Sequence, residues 1–136
     1  MNRAVSAFLL LACSTLCHAE MVVIVHADNG STLSQAQIAA IYLGKTKTFP
    51  GGPRAQPFVV DYASAGLDEF MTAYLGKSVS QYRALWSRLM FSGEAIAPKA
   101  LASHKEVVES VAGNKDAIGI VEASAVTPQV KVVGKL

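Results

Sequence analysis

The chain has 136 residues, of which 51% are hydrophobic and 16% charged, with a formal net charge of +2 and two cysteines. A domain takes roughly 100–200 residues, so this length holds one core and excludes a large multidomain enzyme. The charge is too small and too evenly spread to make the basic face of a nucleic-acid binder, so nucleic acid is not an expected partner.

At the N-terminus, Met1-Asn2-Arg3 carries one positive charge and residues 4–12 are uncharged and mostly apolar. Cys17-His18-Ala19 then places small residues at the two positions that matter for a cut after Ala19. Residues 1–19 are expected to be a signal peptide and residues 20–136 one exported, periplasmic domain. The apolar stretch is about half of the ~20 residues that span a bilayer, which argues against a retained anchor. Cleavage removes both Cys13 and Cys17, so the exported domain relies on apolar packing rather than a disulfide framework. An alternative stays open: Leu10-Leu11-Ala12-Cys13 loosely resembles a lipoprotein box, with Cys13 as the lipidated first residue.

Residues 21–25 form a continuous apolar, β-branched run, the pattern of a strand covered on both faces in a parallel sheet. Ser34 and Gln37 make a capping box, with Leu33 and Ile38 at the staple positions, and the helix they open should stop at Gly44. A turn-rich loop at residues 49–53 leads to a second strand at 57–60. Ser64-Ala65-Gly66 opens a second helix that presents Leu67, Phe70, Met71, Tyr74 and Leu75 on one face and ends at Gly76. Ser78 with Gln81 starts a third, whose face carries Tyr82, Leu85, Trp86, Leu89 and Met90 down to Gly93. A fourth begins at Ser103, with Glu106 at the box position, and ends near Gly113. Residues 117–121 and 130–133 read as strands. The order β-α-β-α-α-α-β-β implies an α/β fold, a mainly parallel sheet flanked by helices with right-handed crossovers.

No catalytic or metal constellation stands out. Past the signal peptide the histidines are His26 and His104, far apart and without cysteine or a His-x-x-x-His pair, and Gly-x-Ser-x-Gly does not occur. A non-enzyme without metal or cofactor is expected, with His104 a solvated first-turn residue. Two helix starts offer small polar residues, Ser31-Thr32 and Ser64-Ala65-Gly66. Free backbone amides and the helix dipole favour an anion at such places. The crevice beyond the carboxyl ends of strands is also where ligands sit in open α/β sheets. Local sequence alone favours the same serines as plain helix caps, since most helices start with such residues. Lys45, Lys47 and Arg54 gather around the glycine-proline loop, either as a solvated basic loop or as a draw for an anion.

Residues 38–45 (Ile-Ala-Ala-Ile-Tyr-Leu-Gly-Lys), Ser64 with Phe70, residues 86–93, residues 107–113 and residues 116–121 (Asp-Ala-Ile-Gly-Ile-Val) resemble, in order, the phosphate-type substrate-binding proteins of bacterial ABC importers. The resemblance implies a single periplasmic-binding-protein-like lobe, chiefly the second of the two lobes that clamp phosphate in full-length members. The family motif Arg-x-x-Ser-Gly-Thr with a following Phe falls on residues 61–66 and Phe70. Ser64 and Phe70 match, whereas Asp61 replaces the arginine, Ala65 the glycine and Gly66 the threonine. It implies that phosphate or a similar inorganic anion meets Ser64, Ala65 and Gly66; read from the residues themselves, Arg54 is the candidate replacement charge and the helix start at Ser31 and Thr32 a further candidate contact. An ABC permease is the implied partner. The competing reading is an envelope protein-interaction module that keeps the lobe but has lost phosphate, pairing as a homodimer or with an envelope protein.

Overall fold

The computed structural model describes residues 20–93 and 97–136. The expected signal peptide, and Cys13 within it, lies outside the described residues. Five strands, β1 (Met21–His26), β2 (Gln56–Val60), β3 (Lys99–Leu101), β4 (Ala117–Glu122) and β5 (Val130–Lys135), form one sheet in the order β3-β2-β4-β1-β5. Four helices accompany them: α1 (Gln35–Tyr42), α2 (Leu67–Leu75), α3 (Val79–Phe91) and α4 (His104–Ala112). β2 runs parallel to β3 and β4, while β1 runs antiparallel to β4 and β5. Four strands therefore point one way, in the mostly parallel, helix-flanked sheet expected from the element order.

Two strands depart from expectation. The apolar run of β1 is buried on both faces, as read, but the strand is antiparallel to both neighbours. A continuous apolar run reports coverage by helices on both sides, and it carries no information about direction. The short edge strand β3 has only three residues, two of them exposed, and so lacks any periodic signal.

The glycines of the sheet show how the layers close. Gly119 pairs with Ile24, and a Cβ there would lie 2.8 Å from Val107 and 3.0 Å from Val111, so α4 rests directly on this face. Gly134 pairs with Val23 on the other face, where a Cβ would run into the Tyr74 hydroxyl and Ile38. α1 and α2 therefore cover the opposite side. α3 is fastened to this layer by the Trp86 indole, whose Nε1 donates to the Tyr42 carbonyl at 2.9 Å, while the Tyr42 hydroxyl donates to the Phe58 carbonyl at 2.9 Å. Burial pushes the Tyr42 phenol well above its ordinary pKa, which keeps it a donor.

Helix ends follow the sequence closely. Both capping boxes, Ser34 with Gln37 and Ser78 with Gln81, form in full, and Gly76 ends α2 with φ of 71°. At α4 the box is shifted by one residue: Ser103 accepts from the Glu106 amide at 3.2 Å, but Glu106 Oε2 accepts from Ala102. Ser78→Ala is expected to cost about 1 kcal/mol, seen as a fall of roughly 5 °C in Tm by circular dichroism, because it removes an acceptor from the first free amides of the helix that carries Trp86.

Candidate functional site

β2 delivers the chain to the carboxyl edge of the sheet at Val60, and the next six residues turn it back into α2. The turn is built on Asp61. Its carbonyl accepts from the Ser64 amide at 2.8 Å and its Oδ1 accepts from the Ala63 amide at 2.8 Å, an Asx turn. The Ser64 carbonyl accepts from the Leu67 amide at 3.2 Å. Gly66 is the helix cap, with φ of 83°, and no side chain caps α2. That left-handed conformation suits glycine and disfavours any residue with a Cβ. Ser64 thus sits inside the turn, two residues ahead of the cap, and is not the capping serine of the plainer reading. Among the described residues, the Ala65 and Gly66 amides have no protein acceptor.

A cation stands next to this turn that sequence reasoning did not connect with it. The Arg83 guanidinium lies 5.2 Å from the centre of the Tyr62 ring, in cation–π contact. Tyr62 packs against the buried ring of Tyr82 with centroids 6.3 Å apart, and Tyr82 meets the edge of Trp86 at 6.5 Å. Half-burial pushes the Tyr62 phenol up, and Arg83 partly opposes this. Arg83 comes from the exposed side of α3, and only the packing of α3 beside the β2–α2 connection brings it here. No local motif announces it.

Carboxylates oppose an anion at the same place. Asp61 is in the turn, and Asp68 and Glu69 occupy the first turn of α2, where they suit the helix dipole. Asp68 is partly engaged, since its Oδ1 accepts from the Val79 amide at 2.8 Å and ties the start of α2 to the start of α3.

The remaining expected contacts lie at the other end of the sheet. Arg54 precedes β2, bridges antiparallel to Thr48, and lines a groove with Lys47 and Lys99. The length of β2, five residues at about 3.3 Å each, separates it from Ser64, so it does not supply the positive charge expected beside that turn. Ser31 and Thr32 follow β1, whose end pairs with the start of β5, and this reversal carries them to the amino edge as well. The Ser31 amide is held by Asn29 Oδ1 at 2.9 Å, and α1 is capped by Ser34. Of the six residues expected at one site, the structure brings together Ser64, Ala65 and Gly66, and places Arg54, Ser31 and Thr32 elsewhere.

His104 also differs from its reading. It is half-buried, its Nδ1 accepts from the Glu122 amide at 3.0 Å, and its Nε2 lies 3.9 Å from Glu122 Oε2. It fastens the start of α4 to the end of β4 rather than facing solvent. Among the described residues no group of three or more His, Cys, Asp or Glu side chains is placed to hold a metal.

No family model matches the chain, and no curated protein matches it. Solved structures do. A protein described as a phosphate ABC transporter substrate-binding protein, with bound phosphate, from Clostridium perfringens superposes with a TM-score of 0.63 at 18% identity, over 84% of this chain and 44% of its own. An ABC-type phosphate transport receptor from Vibrio cholerae gives a TM-score of 0.61 at 17% identity, over 84% and 45%. PstS from Borrelia burgdorferi gives 0.62 at 14%, over 85% and 46%. These likenesses show the fold, that of one lobe of these proteins. The chain spans less than half the length of each.

Proposed function

We propose that residues 20–136 form an exported solute-binding lobe whose turn at residues 62–66 receives a small oxyanion, phosphate or similar, for delivery to an ABC permease. Support comes from the turn itself: two backbone amides without acceptors at the carboxyl edge of β2, in a turn whose Tyr62 ring holds the Arg83 guanidinium. Preformed amides and a fixed cation are what an oxyanion needs, and the neighbouring folds belong to phosphate receptors. Export accounts for the apolar leader, and mass spectrometry of the secreted protein is expected to read a start at Glu20.

Asp61 sets the strength of this site. Asp61 is exposed, so water screens its repulsion of a nearby anion to about 1 kcal/mol, and phosphate affinity in the millimolar range is expected. Asp61→Asn keeps the acceptor for the Ala63 amide and removes the charge. It should tighten phosphate binding by about tenfold, about 1.4 kcal/mol, in calorimetric titration, and Arg83→Ala should weaken it. Absence of heat from both the wild type and Asp61→Asn at millimolar phosphate overturns the reading.

A further inference from the structure

Both histidines among the described residues accept a backbone hydrogen bond through Nδ1, His26 from the Asp28 amide at 3.0 Å and His104 from the Glu122 amide at 3.0 Å. The first bond is exposed and joins residues two apart. The second joins residues 18 apart, the first of α4 and the last of β4. A ring nitrogen that accepts an N–H carries no proton, so the His104 proton is on Nε2, which faces Glu122 Oε2 at 3.9 Å. Glu122 therefore offers this ring a donor through its backbone and an acceptor through its side chain.

Protonation makes the two contacts incompatible. An imidazolium is a donor at both nitrogens, so with Nδ1–H aimed at the Glu122 N–H two donors meet and the ring has to leave the amide. It is not driven into water, because the Glu122 carboxylate lies close by and attracts the charged ring. The dipole at the start of α4 disfavours a cation on its first residue, which adds to the push away from the neutral position.

The other charges at this edge are neighbours rather than partners of the ring. Val59 pairs with Ile120 and Val60 with Leu101, so Asp61, Ala102 and Glu122 follow side by side at the strand ends. Asp61 Oδ1 is occupied by the Ala63 amide and Glu106 Oε2 by the Ala102 amide. Glu20 adjoins Glu122 through its carbonyl, which accepts from the Ala123 amide, and Lys135 ends β5 opposite Val22. Lys105 lies 3.9 Å from Glu109. Asp61, Glu20 and Glu106 favour the charged ring and Lys105 and Lys135 oppose it, and all five are exposed, so water screens them.

We propose that His104 is a pH-sensitive latch between α4 and the sheet. Neutral, its Nδ1 holds the Glu122 amide; protonated, the ring swings to the Glu122 carboxylate and releases the amide. Acid thereby loosens the start of α4 at the edge that carries the Ser64 turn, while the Asp61 bonds that shape the turn contain no histidine and stay closed. The latch works whether or not an anion binds there.

Histidine changes charge between about pH 5 and 8, so the full chain is followed by nitrogen-15 magnetic resonance from about pH 7.5 to about pH 5.5 without added ligand. At the upper pH the His104 ring is expected as the Nε2–H tautomer with the Glu122 amide protected from hydrogen exchange. At the lower pH the ring is doubly protonated, and that protection, corrected for the intrinsic rate, falls roughly tenfold. His104→Asn places an uncharged carbonyl oxygen where Nδ1 stood and is expected to keep the protection at both pH values, while the Asp28 amide, under His26, responds alike in both proteins. Glu122→Gln removes the second position of the charged ring and is expected to move the release to lower pH. An Nδ1–H tautomer at the upper pH, a ring still neutral at the lower pH, protection retained beside a charged ring, or the same loss in His104→Asn overturns the proposal.

Discussion

Trp86→Ala is expected to lower the unfolding free energy by about 4 kcal/mol and Tm by roughly 15–20 °C, because two effects add. The indole is buried against α1 and the ring of Tyr82, and its removal leaves a cavity where α3 meets the rest of the fold. The substitution also deprives the Tyr42 carbonyl, at the last residue of α1, of its donor. Carbonyls at helix ends have no partner within the helix, so a buried one that loses its donor costs roughly 1–3 kcal/mol. Trp86→Phe separates the two terms: it keeps most of the packing and loses the donor, and a loss of about 1–2 kcal/mol is expected. Urea unfolding followed by circular dichroism reads both, and a loss below about 1 kcal/mol for the alanine variant would show that α3 is only loosely attached.

Gly119→Ala follows, at about 2 kcal/mol, for a reason that has nothing to do with backbone freedom. The glycine is in the central strand β4, and its missing side chain is what lets α4 lie flat on the sheet. A methyl group there falls 2.8 Å from Val107 Cγ1 and 3.0 Å from Val111 Cγ2, so the helix must lift or rotate. Overpacking of this kind typically costs about 1–3 kcal/mol. Val107→Ala opens space at the same point. The double variant is therefore expected to lose about 1 kcal/mol less than the two single losses combined, a coupling that strict additivity in a double-mutant cycle would contradict.

The caps at Ser34, Ser78 and Ser103, the stops at Gly44, Gly76 and Gly93 and the inward faces of the four helices were legible in the sequence, because each depends on residues within one or two turns of each other. Met90 departs from its face, since α3 runs past the layer it packs on and leaves its last turn in water. The direction of β1 was not legible, since the run that buries it on both faces is the same for either direction. β3 was invisible because a three-residue edge strand has no period to read.

The candidate site divides along the same line. Ser64, Ala65 and Gly66 could be picked out because they follow a buried strand and precede an amphipathic helix. Their pairing with Arg54, Ser31 and Thr32 failed because those residues reach the opposite edge, two by the reversal of β1 and one by lying at the start of β2 rather than its end. Arg83 reaches the Tyr62 ring of this turn through helix packing alone, and His104 found Glu122 through the same kind of contact between segments distant in the chain.

By itself, then, the sequence determined an α/β fold with its helices, their ends and its core faces, since these follow from short-range periodicity and hydrogen bonding. Only the tertiary structure decided which ends of the strands share an edge, and hence which charges meet. Long-range electrostatic neighbours are set by strand direction and layer packing, and no local pattern of residues encodes either.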